Sequence, residues 1–283
     1  MKATTIITLL LAATSQADTI YVASSGPKIL QFTSSGVSSI FASNGLSSPQ
    51  GLAFDRTGNL YVANAGNNTI EEFTPGGVGS VFASALLRSP KGLAFDSAGN
   101  LYAANGNQTI VKFAPDGSGS VFANSGLSFP RGLAFDKADN LYVANAGSHM
   151  IRKFTPGGVG SVFATTPTTT DPNGLAFDSS GNLYATYSSL NTIEKFTPSG
   201  VASVFASIGL SNPFGLAFDT SGNLYAVNQG NNTIEKFSQA GVGSVFISSS
   251  SAGPFIVTQV PEPSICAMLL FGAVPIFNRR RRA

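Results

Sequence analysis

The sequence predicts an all-β protein, a six-bladed β-propeller built from four-stranded antiparallel blades. Three observations predict it: a unit of about 41 residues recurs along the chain, each unit holds four short strand-like runs, and the two ends of the array complement each other.

The repeat is carried by Gly-Leu-Ala-Phe-Asp, which begins at Gly51, Gly92, Gly132, Gly174 and Gly215, in steps of 41, 40, 42 and 41 residues. In the first of these units the strand-like runs are residues 51–54, 59–63, 69–73 and 80–83. Turn signals separate them. In Asp55-Arg56-Thr57-Gly58-Asn59 the Asp side chain can accept from nearby backbone N–H groups and the Gly can take positive φ, while Thr74-Pro75-Gly76-Gly77 supplies a later turn. Gly-Leu-Ala-Phe is apolar and small, as an inner strand near a central axis must be. The third run carries Glu71-Glu72 here and Glu235-Lys236 in the last repeat, which points to an outer, better solvated strand.

The ends set the blade number. Residues 19–23, 28–33 and 39–42 match the second, third and fourth runs of a unit that has no first run. Residues 254–259 fall where the next first run is due. Pairing them closes a ring of five complete blades and one shared blade, and closure removes the open edges that invite aggregation.

Only 11% of residues are charged, and the apolar and aromatic content, with 22 Phe, excludes a disordered chain, while the 31 Gly suit many tight turns. The formal charge of +2 owes five of its 16 basic residues to the terminal segments; without those segments 11 basic and 13 acidic residues remain. No basic face for nucleic acid is expected. The only cysteine, Cys266, lies near the C-terminus, so the propeller needs no disulfide.

The two ends read as addresses. Residues 1–17 combine Lys2, an apolar stretch and the small-residue end Ser15-Gln16-Ala17, the layout of a cleavable secretory signal. Residues 260–283 hold Pro261-Glu262-Pro263, an apolar run over 265–277, and the cluster Arg279, Arg280, Arg281 and Arg282. Thirteen residues reach about 20 Å as a helix, short of a hydrocarbon core of about 30 Å, so the tail suits transient membrane association better than a permanent anchor. In order and content it resembles the PEP-CTERM sorting signal of Gram-negative bacteria. The resemblance implies an exosortase-type membrane protease as partner, and display at the cell surface or in the extracellular matrix.

Across residues 19–259 the repeat resembles the NHL family, in Pro-x-Gly-Leu-Ala-Phe-Asp, Gly-Asn-Leu-Tyr-Val-Ala-Asn and Asn-x-Thr-Ile-Glu-Lys-Phe. Members often carry Asp where Asn64, Asn105, Asn145 and Asn228 stand, and Arg where Thr69, Thr109 and Thr233 stand. The resemblance implies the propeller fold; function transfers poorly, since such propellers include binding modules as well as lyases and lactonases.

Chemistry-bearing residues are sparse. A zinc site of three histidines is excluded, because His149 is the only one, and it aligns with Asn68 in a repeat turn. Asp55, Asp96, Asp136, Asp178 and Asp219 recur one per blade, which fits turn capping better than one calcium centre. The Asn64, Asn105, Asn145 and Asn228 amides, interrupted at Thr186 and Ser24, form either a ring of ligand-binding groups or a set of turn residues. No cofactor is expected, calcium being reserved for the alternative reading below. The position before each inner Gly varies within its Pro-x-Gly frame: Gln50, Lys91, Arg131, Asn173, Phe214 and, in the closing strand, Phe255. It is either a binding rim with a cationic sector beside an aromatic one, or an exposed turn that has drifted. The leading expectation is a non-enzymatic secreted propeller that binds an exopolysaccharide or an extracellular protein. The alternative is a calcium-dependent lyase or lactonase.

Overall fold

In a computed structural model, residues 19–24, 26–165 and 170–248 are described in full, and residues 256–259 by their backbone. Six four-stranded antiparallel sheets form six blades. Blade 2 is representative. Its inner strand Pro49–Phe54 pairs with Leu60–Asn64, then come Thr69–Phe73 and the outer strand Gly79–Ala83. Blades 3 to 6 repeat this order, with inner strands Leu93–Phe95, Pro130–Phe135, Pro172–Phe177 and Pro213–Phe218. Apart from one short 3₁₀ turn, Ala146–Ser148, the described elements are strands, and among the described residues no helix is long and apolar enough to cross a membrane.

Blade 1 closes the ring as the sequence predicts. Ile256–Gln259 pairs antiparallel with Ile20–Ala23, from Ile20 opposite Gln259 to Ala23 opposite Ile256. Each inner strand neighbours the next around a common axis, and the strand Ile256–Gln259 joins those of blades 6 and 2.

The core lies between blades, and four aromatic positions of the repeat build it. Tyr61 of the second strand meets Phe82 of its own outer strand at 4.9 Å and Phe95 of the next inner strand at 5.0 Å, both edge-on. Phe82 in turn meets Phe113 of the next third strand at 6.1 Å. The same cluster recurs around Tyr21, Tyr102, Tyr142 and Tyr184. Edge-to-face pairs add about 0.5–1.5 kcal/mol each beyond burial, which explains why a Phe-rich, Trp-free chain makes a firm interface.

Close packing at the axis accounts for the repeated inner glycine. A Cβ on Gly92 would lie 2.1 Å from the Arg131 carbonyl oxygen, and one on Gly132 would lie 2.3 Å from that of Asn173. Only glycine lets adjacent inner strands approach this far.

One expectation is corrected. The charged third strand is not the solvated one: Glu71 is 5% exposed and Glu235 4%. The exposed strand is the fourth, Gly-Ser-Val-Phe-Ala, whose first three residues face solvent. Glu71 and Phe73 share the strand face that turns toward blade 1, and the loop at Gly45 closes over the glutamate. Residues 1–17 and 260–283, with the two terminal signals, lie outside the described residues.

Candidate functional site

At the Pro-x-Gly end of blades 2, 4, 5 and 6 the inner strand carries a register irregularity. In blade 2 Pro49 pairs with Asn64 and Leu52 with Val62, leaving Gln50 and Gly51 in a bulge. The variable residue therefore sits where the strand bends at the ring's axis.

Four of the six residues expected at the rim come together there. Lys91 of blade 3 and Arg131 of blade 4 stand on adjacent inner strands, joined where the Gly92 N–H donates to the Arg131 carbonyl at 3.2 Å. The Arg131 guanidinium donates to the side-chain oxygen of Asn173 in blade 5 and lies 5.8 Å from the Phe214 ring in blade 6. A residue of blade 4 that reaches blade 6 must lean over the channel mouth. Gln50 occupies the same register in blade 2 and is half-buried, next to Gly51, which packs against the Lys91 carbonyl, and Phe255 lies outside the described residues.

Burial, and then the neighbouring Arg131 charge, hold the Lys91 amine below its ordinary range. No carboxylate among the described residues pairs with it. Arg131 is partly balanced by Asp171, 3.7 Å away.

Asp171 carries no mark in the sequence, and His149 reads there as a lone residue of a repeat turn. His149 Nδ1 lies 2.9 Å from the other Asp171 oxygen. This matches a tie found elsewhere in the ring. The Ser89 N–H donates to the Asn68 side chain and the Asn212 N–H to that of Asn191, each bond joining a left-handed turn residue to the residue before the next blade's proline. His149, at φ 51°, holds the same place between blades 4 and 5. A lone histidine gave no sign of this in sequence, because its partner is 22 residues away.

The asparagine ring resolves toward turn chemistry. The Asn64 side-chain oxygen accepts from the Ser47 N–H at 3.1 Å, and its amide donates to the Gly45 carbonyl at 2.9 Å. Asn105, Asn145 and Asn228 bond equivalent loops, and all four are 0% exposed. These amides are spent inside the fold. The position in blade 5 is held by Tyr187, opposite Pro172, rather than by Thr186 as expected. Thr186 sits one residue earlier, where its hydroxyl donates to the Phe214 carbonyl at 2.7 Å.

The repeated aspartates cap their own turns. Asp55 accepts from the backbone N–H groups of Thr57 and Asn59, each at 2.8 Å. Burial works against ionisation of Asp96, Asp136 and Asp178, yet hydrogen bonds within their own turns and a nearby lysine hold all three below the usual carboxylate range. A hard cation needs six to eight oxygens around one centre. Carboxylates committed to separate turns, and a mouth bearing Lys91 and Arg131, do not fit calcium.

The NHL repeat family model matches residues 46–73, the inner three strands of blade 2 and the loop before them. Among solved structures, the chain resembles a crystal structure of a nidogen/laminin complex, with 22% identity over 86% of this chain and 98% of that one and a TM-score of 0.77. It also resembles a catalytically inactive variant of virginiamycin B lyase from Staphylococcus aureus solved with quinupristin, at 19% identity, 85% and 89% coverage and a TM-score of 0.65. A putative gluconolactonase matches at 16% identity, 74% and 80% coverage and a TM-score of 0.63. No curated protein sequence matches the chain. At these identities the likeness speaks for the fold: the chain is a six-bladed β-propeller, one blade of which matches the NHL repeat.

Proposed function

We propose that the protein is a non-enzymatic, exported binding propeller whose channel mouth takes a carboxylate-bearing extracellular ligand, an acidic exopolysaccharide in the first place. One observation carries this reading: Lys91 and Arg131 hold equivalent positions on adjacent inner strands, which meet where the Gly92 N–H donates to the Arg131 carbonyl at 3.2 Å, and Lys91 pairs with no carboxylate among the described residues. A ligand carboxylate between them offsets the repulsion of the two cations and the burial of Lys91. Phe214, beside Arg131, offers an apolar face to a sugar ring. Such a ligand bears on the nearest protein acid as well, since Asp171 then shares Arg131 with it. Catalysis by a lyase or lactonase would need an acid, a base or a metal aimed into the mouth, and the carboxylate beside Arg131, Asp171, is shared between Arg131 and His149.

The test uses the purified protein and an oligomer of galacturonic acid. Lys91→Ala is expected to weaken binding about 10- to 100-fold, the cost of one charge-assisted contact, and Phe214→Ala to weaken it less. Unchanged affinity in Lys91→Ala removes the reading.

Export rests on the sequence of the two ends. In this reading residues 1–17 direct secretion, and residues 260–283 hold the chain transiently at the membrane until an exosortase-type protease acts near Pro261-Glu262-Pro263. Replacing Arg279–Arg282 by serine is expected to shift the protein from the cell surface to the medium, seen by immunoblot of the fractions. An unaltered distribution contradicts the role given to the tail.

A further inference from the structure

The buried glutamate of blade 2 opens onto a second concave surface, away from the mouth. A groove of 570 Å³ runs between the outer strand of blade 1 and the third strand of blade 2, lined by Phe41, Gly45, Glu71, Phe73 and the turn at Gly77–Gly79. Glu71 is 5% exposed, and among the described residues no cation or hydrogen-bond donor is bonded to its carboxylate. An isolated carboxylate is costly to bury unless a cation completes it.

The other blades show how this groove is otherwise filled. In blade 3 the register of Glu71 holds Val111, and the loop position of Gly45 holds Leu86 at φ 64°, whose side chain lies against Gly119. In blade 4 that register holds Arg152, whose guanidinium packs against Gly126 and lies 5.5 Å from the Phe154 ring. The groove's geometry thus accepts a guanidinium beside the phenylalanine that closes each third strand. In blade 2 the phenylalanine is present as Phe73, the covering residue is glycine, and an acid stands in place of the arginine. Glu235 in blade 6 repeats this pairing, lying against Gly209 and 4% exposed.

We propose that the groove between blades 1 and 2 binds the guanidinium of an arginine side chain presented by a partner polypeptide, with Glu71 as counter-ion and Phe73 as the face beneath it. Burial raises the Glu71 carboxyl above the ordinary range, as expected of an acid that lacks its cation. The site is separate from the channel mouth, takes a ligand of opposite charge, and does not depend on what the mouth binds.

The experiment is a fluorescence-anisotropy titration of the whole protein with a labelled acetyl-Gly-Arg-Gly amide, beside the same peptide carrying neutral citrulline. The arginine peptide is expected to bind saturably and the citrulline peptide at least about 10-fold more weakly. Glu71→Gln is expected to remove that preference. Gly45→Leu leaves Glu71 in place and fills the groove as Leu86 does in blade 3, so it should abolish binding of both peptides. Absence of arginine-peptide binding, equal binding of citrulline, or unchanged affinity in Glu71→Gln or Gly45→Leu overturns the proposal.

Discussion

A chain ending at Ser248 is expected to lose cooperative folding and to elute as aggregates, whereas one ending at Gln259 should melt as the full chain does. The difference lies in one strand. Without Ile256–Gln259 the strand Ile20–Ala23 becomes an open edge at the centre of the ring, its backbone partners from Ile20 to Ala23 gone. Each backbone hydrogen bond lost costs about 0.5–1.5 kcal/mol, before any apolar contact with the closing strand is counted. A domain is typically stable by only about 5–15 kcal/mol. The exposed edge is also a template for pairing with a second chain. Size-exclusion chromatography and thermal melts of the two truncations check this. A monomeric, cooperatively melting chain that ends at Ser248 would show that the ring does not need its closing strand.

Gly92→Ala should be among the most damaging single-methyl changes at the described glycines. The new Cβ would sit 2.1 Å from the Arg131 carbonyl oxygen and 3.2 Å from Gly132 Cα, and both are backbone atoms that no rotamer change can move. Overpacking of this kind costs about 3 kcal/mol, or roughly 6–12 °C in melting temperature for a domain of this size. Because Arg131 is the residue pushed, the mouth should also lose affinity for acidic ligand. Gly99→Ala is the control, since no atom lies within 4 Å of its Cβ position. Its cost should be confined to the strain of φ 82°, with ligand binding intact. Equal melting of Gly92→Ala and the native protein would mean that the inner strands are farther apart than described.

The sequence made the repeat and its closure legible because both depend on order along the chain. Gly-Leu-Ala-Phe-Asp marks five of the six blades, and the run at 254–259 stands one period after the last inner strand. Turn chemistry was legible for the same reason, since Asp55 caps residues only two and four positions away. Contacts between blades were not. Glu71 reads as a surface charge until the loop at Gly45, 26 residues earlier, is seen to cover it. His149 reads as a stray turn residue until Asp171 of the next blade is placed beside it. Tyr187 shows a related limit: the run Leu-Tyr-Ala-Thr-Tyr keeps the strand period while changing the residue that would hold the loop, so Thr186 was assigned a place belonging to its neighbour. The rim was legible as a varying position in a fixed frame, but its convergence at the axis required the bulge and the reach of Arg131 to Phe214.

The central claim is that the channel mouth is a cationic and aromatic receptor for an acidic ligand. It is tested most directly by calorimetric titration of the native protein with oligogalacturonate at low and at high salt, beside a neutral glucan of equal length. The account predicts one saturable site that weakens as salt rises and little heat from the glucan. Equal binding of the two glycans, or none of the acidic one at low salt, would contradict it.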